Sequence, residues 1–115
     1  MLNELSAEIH KNNVKFYTNI HTGERINRNI PELLMLIVSE VAEAMEGYRK
    51  DLMDDHLPNR KMEEVEIADA FIRLLDYCGY RGFDIDGAIA EKRSYNAVRK
   101  DHTIEERLKP NGKKF

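Results

Sequence analysis

The segment from Leu33 to Met45 constrains the fold most strongly, because it is apolar on every side of a helix and yet contains two glutamates. A helix that is apolar all round is normally buried. Residues three apart lie on the same side of a helix, so Glu40 and Glu43 should form one acidic pair. The sequence therefore predicts a buried helix that carries two carboxylates.

The next predicted helix repeats this pattern. From Ile67 to Cys78 only Asp69, Arg73 and Asp76 are clearly polar, and Glu66 and Asp69 are again three residues apart. A short polar loop joins the two helices, so they should pack antiparallel. At 1.5 Å per residue, both acid pairs lie at nearly the same distance from that loop. We therefore expect the four carboxylates to face one another between two adjacent helices.

The whole chain of 115 residues predicts one all-α domain, 1–115, with a basic C-terminal tail over about 101–115. Apolar residues repeat at helical spacing, and alternating strand patterns are absent. Pro and Gly mark the element ends, with Gly79 and Gly82 as a helix stop. The predicted protomer is a four-helix bundle with helices over about 2–17, 31–50, 61–80 and 85–100. The first helix should pack through Leu2, Leu5, Ile9 and Phe16.

The charge distribution narrows the possible partners. The net charge is −3, but residues 32–69 hold eleven acids and four bases, and residues 91–115 hold four acids and eight bases. The acidic middle argues against stable nucleic-acid binding and against attachment to an anionic membrane. The single cysteine, Cys78, and the lack of a long apolar segment predict a cytoplasmic protein with Cys78 in its core.

Four carboxylates in an apolar setting need positive charge to offset their repulsion and desolvation. Hard divalent cations such as Mg²⁺ or Mn²⁺ prefer carboxylate oxygens and could supply it. The alternative is pairing with arginines, for which Arg73 at position i+4 from Asp69 is the best placed. Ion pairing explains Asp69 well and the first acid pair poorly, because few bases lie at the level of Glu40 and Glu43.

Two features of the sequence resemble the MazG-like all-α nucleoside triphosphate pyrophosphohydrolases, over about residues 30–115. Glu40-x-x-Glu43 and Glu66-x-x-Asp69 are separated by 22 residues, as in the metal-binding signature of that family. The flanking residues, Leu-Ile-Val-Ser before Glu40 and Ile-Ala before Asp69, are also similar to those of the family. The Gly-Lys-Lys-Phe ending is similar to that of phage-type members. Ser39 departs from the pattern, because many members have a further glutamate there.

The resemblance implies a metal-dependent hydrolase that converts (deoxy)nucleoside triphosphates to the monophosphate and pyrophosphate. Its cofactor would be Mg²⁺, with Mn²⁺ as a possible substitute, and its location the cytoplasm of a bacterium or of a phage-infected host. The residues that would act as both catalytic groups and metal ligands are Glu40, Glu43, Glu66 and Asp69. By matching position, the phosphate contacts on the following helix would be Lys92, Asn96 and Arg99, which a continuous helix would place on one face.

The sequence also predicts a homo-oligomer, a dimer or a tetramer, because a lone protomer would leave apolar surface of its second and third helices uncovered. The family resemblance implies the same.

Two other classes of protein stay open. One is a non-catalytic helical interaction module whose acids form interhelical ion pairs, and the other is a small helical DNA-binding regulator.

Overall fold

The computed structural model describes residues 1–115, and it is all-α with no strands. Two isolated bridges, between Thr18 and Arg25 and between Met53 and Lys61, are the only extended pairings. The four main helices are α1 (Leu2–Asn13), α2 (Ile30–Arg49), α3 (Met62–Arg81) and α4 (Ile85–Ala97), followed by the short α5 (Ile104–Arg107). Short 3₁₀ segments span Val14–Tyr17 and Lys100–His102. The predicted all-α class is confirmed.

The chain forms two compact units, Met1–Phe83 and Asp84–Phe115. In the first unit α3 packs against both α2 and α1. In the second unit α4 leads into the 3₁₀ turn and α5, and Arg107 donates hydrogen bonds to the carbonyl oxygens of Lys113 and Lys114. The sequence-based assignment of one domain stays a prediction.

The ends of α2 and α3 lie within one residue of the predicted ones, because local capping determines them. The Asn29 side chain accepts a hydrogen bond from Glu32 N at 2.9 Å, and Pro31 occupies the first turn of α2. Gly82 ends α3 in the left-handed conformation, with φ +67°.

The ends predicted for the first and fourth helices are wrong by several residues. The first helix tightens into the 3₁₀ segment after Asn13. The fourth ends at Ala97, where Val98 caps it with φ −112° and ψ 8°. Arg99 is therefore outside α4, so it does not share a helix face with Lys92 and Asn96 as the spacing predicted.

The packing face of α1 also differs from the predicted one. Ser6 is buried and donates a hydrogen bond from its hydroxyl to the Leu75 carbonyl, whereas Leu5 and Phe16 are exposed. The close contact depends on Gly79, because a Cβ there would lie 2.7 Å from the His10 Cβ. Gly79 therefore serves helix packing, and Gly82 alone ends the helix.

The expectation that the second helix is wholly buried is wrong for the single chain. Leu33, Ile37, Ala44 and Gly47 are buried, but the opposite side of α2 is exposed. The exposed residues follow heptad-like spacing on α2 and continue at helical spacing on α3. We call this set the apolar seam: Leu34, Val38, Val41, Met45 and Tyr48 on α2, with Ile67, Phe71 and Leu74 on α3. No helix is long and apolar enough to cross a membrane.

Candidate metal centre

Three of the four predicted acids meet where α2 packs against α3. One carboxylate oxygen from each of Glu40, Glu66 and Asp69 lies within 4.8 Å of the other two. The geometry follows from the sequence spacing, because α2 supplies one acid and the antiparallel α3 supplies two from successive turns. We call these three residues the acidic triad.

The electrostatics of the triad centre on Glu66. Burial, followed by its hydrogen bond to Glu40, raises the pKa of Glu66 from 4.5 to about 7. The negative charges around it act in the same direction. At neutral pH the Glu66 carboxyl therefore holds a proton for a large part of the time.

The pKa of Asp69 is raised by interactions of the same kind. Burial and the charge of Glu40 raise the pKa of Asp69, and the positive charge of Arg73 opposes them. The charge of Asp54 contributes to the same shift, although the sequence analysis did not single it out. Asp54 is buried in the loop between α2 and α3, where one of its oxygens accepts hydrogen bonds from His56 N and Leu57 N at 2.9 and 2.8 Å.

The structure does not bring the Glu43 carboxylate into the triad. Its side chain is exposed one turn along α2 from Glu40, and its negative charge contributes to the raised pKa of Glu66. Glu43 therefore lies at the edge of the cluster, where it influences the triad electrostatically.

One arginine pairs with the triad, but with a different partner from the expected one. Arg73 Nε donates to Glu40 Oε1 at 2.8 Å, across the interface between α3 and α2. From the sequence, Arg73 was expected to pair with Asp69, and few basic residues were expected at the level of Glu40. A helical side chain can reach the neighbouring helix as readily as its own preceding turn, so spacing along one helix did not identify the partner.

Two members of the triad, Glu40 and Asp69, line a pocket in the first unit with a volume of about 410 Å³. Carboxylates, guanidinium groups and aromatic rings share its wall with aliphatic side chains. A volume of this size falls within the range of small-molecule sites. The lining residues are Asn13, Phe16, Tyr17, Arg28, Leu33, Glu40, Asp69, Ile72, Arg73 and Asp76.

Tyr17, Arg28 and Asp76 in the wall of this pocket belong to a network of hydrogen bonds and ring contacts. Asp76 accepts a hydrogen bond from the Tyr17 hydroxyl at 2.9 Å, and its other oxygen lies 2.8 Å from His10 Nδ1. The Arg28 guanidinium lies 5.5 Å from the centre of the Tyr17 ring, and the Tyr17 and Tyr80 rings are 4.5 Å apart. Burial and the bond to Asp76 raise the pKa of Tyr17 above its usual value, so the hydroxyl stays a donor.

The predicted phosphate contacts belong to the second unit. Lys92 Nζ lies 4.8 Å from the Tyr95 ring centre. The Asn96 side-chain oxygen is buried without a hydrogen-bond partner. Arg99 forms an ion pair with Asp101, with 2.9 Å between Nε and Oδ1, which holds the pKa of Asp101 below its usual value. Arg99 is thus already engaged, unlike the amide oxygen of Asn96.

The chemistry of the triad fits a hard divalent cation. All three donors are carboxylate oxygens, the ligand type that Mg²⁺ and Mn²⁺ prefer. Oxygens bound to one octahedral Mg²⁺ lie ~3.0 Å apart when adjacent and ~4.2 Å apart when opposite, so the three oxygens, which lie within 4.8 Å of one another, would have to move closer together to share one ion.

The sequence analysis did not assign a role to several residues of the site. Asn13, Tyr17 and Arg28 join the pocket because α1 and the loop after it fold onto α3. Of the three, only Arg28 lies in the polar loop over 18–29, and a polar loop by itself does not identify a binding residue. In comparisons with known proteins, no family model, no curated protein and no solved structure matched this chain.

Proposed function

We propose that this protein is a metal-dependent hydrolase of (deoxy)nucleoside triphosphates, acting in the cytoplasm. In the reaction, water attacks the α-phosphorus and the α–β anhydride bond breaks, which gives a nucleoside monophosphate and pyrophosphate. The observation that carries the proposal is a triad of converging carboxylates, two of which, Glu40 and Asp69, line a pocket of about 410 Å³ that also holds two guanidinium groups. The resemblance of the two acid motifs to MazG-like enzymes supports the same reaction.

In this proposal Glu40, Glu66 and Asp69 hold Mg²⁺, or Mn²⁺ in its place, and Glu43 lies at the edge of the site. When bound, the cation would polarise the phosphate oxygens and lower the pKa of a water molecule. Glu66 must lose its proton before it can act as a ligand, and a neighbouring carboxylate can then accept a proton from the attacking water.

The rest of the pocket supplies contacts for the nucleotide. Arg28 and Arg73 provide planar guanidinium groups, which suit phosphate oxygens. Phe16 and Tyr17 provide aromatic surface for the nucleoside, and Asn13 provides an amide. Lys92 and Asn96 are further phosphate contacts that rest on the family resemblance alone, and Arg99 is a weaker one because of its ion pair with Asp101.

The apolar seam supports the homo-oligomer as part of the proposal. Val41 is 50% exposed and Phe71 is 60% exposed, and both lie on long apolar stripes. Continuous surfaces of this kind normally form interfaces. A dimer or tetramer that buries the seam would cover the exposed apolar residues of both α2 and α3.

A non-catalytic helical module is the second candidate, and the ion pair between Arg73 and Glu40 favours it. In that case the arginine is the permanent counter-ion of the acids, and no metal is needed. The two candidates differ in what a divalent cation does to the protein.

The test is incubation of the protein with each NTP and dNTP in Mg²⁺ or Mn²⁺, with the products separated by ion-exchange chromatography. We expect equimolar nucleoside monophosphate and pyrophosphate from at least one nucleotide, and no product in EDTA. Asp69→Asn should abolish turnover, because it removes a ligand charge while preserving shape. Glu63→Gln, an exposed change one turn before Glu66, should retain it.

Release of inorganic phosphate with a nucleoside diphosphate would contradict the assigned bond cleavage. No product from any nucleotide, together with no change in melting temperature on adding Mg²⁺ or Mn²⁺, would favour the non-catalytic module.

A further inference from the structure

From its position in the structure, the Arg73 guanidinium could pair either with the Glu40 carboxylate or with a phosphate group in the pocket. Its Nε donates to Glu40 at 2.8 Å, and the same side chain lines the pocket next to the triad. The Arg73 side chain is 43% exposed, whereas that of Glu40 is 15% exposed. The carboxylate is therefore fixed between two helices, and the guanidinium is the mobile partner of the pair.

The charges of the triad do not balance in this arrangement. Three carboxylates face one guanidinium, and no other lysine or arginine forms an ion pair with any of the three. A divalent cation that binds Glu40 would place two positive charges next to the Arg73 guanidinium. Repulsion between the two cations, together with their competition for Glu40, would weaken the ion pair.

The pocket offers Arg73 a second acceptor once nucleotide is present. Arg73 lies one turn after Asp69 on α3, on the same side of the helix, so its guanidinium borders any phosphate that contacts the triad. Only Nε is engaged with Glu40, so the terminal nitrogens can donate to phosphate oxygens in a bidentate manner.

We propose that Arg73 is an exchangeable counter-ion, which neutralises Glu40 in the metal-free protein and moves to the phosphate chain when a divalent cation takes its place. The inference rests on the proposed function, because it requires both the cation and the phosphates. Arg73 therefore has two successive partners. It pairs with Glu40 while no cation is bound, and it then binds the phosphate chain of the substrate.

The direct test follows the Arg73 Nε–H signal by ¹H–¹⁵N NMR in the full-length protein, with the signal assigned through Arg73→Lys. In the metal-free protein we expect slow exchange with solvent, as for a guanidinium held by a carboxylate. Saturating MgCl₂ alone should speed exchange and shift the signal. Inorganic tripolyphosphate in excess Mg²⁺ should slow the exchange again. Arg60, which pairs with Glu64 on the surface, is the internal control and should not respond.

The outcomes separate this inference from the proposed function. If Mg²⁺ shifts the backbone amides of Glu40 and Asp69 but leaves the Arg73 signal unchanged, the exchange is overturned and the metal site stands. If Mg²⁺ shifts neither, both are overturned.

Binding measurements on Arg73→Gln provide a second readout that does not depend on turnover. Calorimetry should show tighter binding of Mn²⁺ alone, because a competing cation has been removed. Binding of tripolyphosphate in excess Mg²⁺ should weaken about tenfold, as expected for loss of a hydrogen bond to a charged group. Arg60→Gln should change neither. Unchanged tripolyphosphate affinity would show that Arg73 serves only as a structural ion-pair partner and would overturn the proposal.

Discussion

Glu66 is the residue whose environment differs most from that of an ordinary surface carboxylate. Its pKa of about 7 results first from burial, and then from a hydrogen bond to a second acid and from three nearby negative charges. A proton and a metal ion compete for such a group, because only the ionised carboxylate is a good ligand. Glu66 should therefore link cation binding to pH in the neutral range.

The affinity for Mg²⁺ should accordingly rise with pH. Below pH 7 most Glu66 carboxyls are protonated and must lose the proton on binding, so the affinity should increase about tenfold per pH unit there. Above about pH 8 the affinity should level off, because the group is already ionised. Calorimetric titrations from pH 5.5 to 8.5 test this dependence. The Glu66→Gln variant should bind Mg²⁺ more weakly and should lose most of the pH dependence of the affinity. Equal affinity of the native protein at pH 6 and pH 8 would contradict the prediction.

At the residue scale, the sequence could predict which acids converge and could not predict how they are balanced. Helical spacing and antiparallel packing suffice to bring Glu40 near Glu66 and Asp69, because both are regular properties of neighbouring helices. The pairing of Arg73 with Glu40 depends on which way a long, flexible side chain turns. The position of Asp54 depends on the path of a loop. Neither follows from periodicity.

At the scale of elements, the contact between α1 and α3 completes the pocket. α1 brings Asn13 to the pocket and the 3₁₀ segment after it brings Tyr17, and the contact depends on close approach at Gly79. An added Cβ at this position would lie 2.7 Å from the His10 Cβ and 3.0 Å from the Ser6 carbonyl oxygen. Both atoms belong to or adjoin the α1 backbone, so the helix itself would have to move.

Gly79→Ala should therefore destabilise the protein despite the better helix propensity of alanine. Overpacking costs about 1–3 kcal/mol and the propensity gain returns about 1 kcal/mol, so we expect a net loss in the free energy of unfolding. Urea denaturation measures the change in the free energy of unfolding. The variant Ala42→Gly, at an exposed position of α2, measures the difference in helix propensity between alanine and glycine without any change in packing. A more stable Gly79→Ala variant would show that α1 does not pack closely at this point.

The sequence predicted elements best where their ends are set locally. Asn29 with Pro31 fixes the start of α2, and Gly82 fixes the end of α3, so two helix ends are set by a few neighbouring residues. The face of α1 was predicted from its apolar residues, but a small serine and a glycine determine the contact instead. Complementary shape between distant segments decides such contacts, and a single sequence carries no direct signal of it.

At the scale of the whole molecule, the apolar seam is the feature that the single chain leaves unexplained. The sequence predicted that α2 would be buried on all sides, and the protomer buries only the side that faces α3 and its surroundings. The remaining side needs a second surface. Self-association would resolve the difference, because two copies of one apolar stripe are complementary in chemistry.

Val41→Arg should therefore lower the oligomeric state, because it places a charge in the middle of the seam. Light scattering coupled to size-exclusion chromatography measures the mass, and we expect the native chain at two or four times the protomer mass of 13.4 kDa. Val98→Arg makes the same change at an exposed position of the second unit and should not alter the mass. A native protein that is already a monomer would contradict the assignment of the seam to self-association.

A crystal structure of the protein, from crystals grown with Mn²⁺, provides the sharpest test of whether Glu40, Glu66 and Asp69 bind a divalent cation. Anomalous scattering at a wavelength near the manganese edge locates the ion independently of any assumption about its ligands. We expect an anomalous peak within bonding distance of a carboxylate oxygen from each of the three residues. Crystals with no anomalous peak at the triad, and with Arg73 still paired to Glu40, would contradict it.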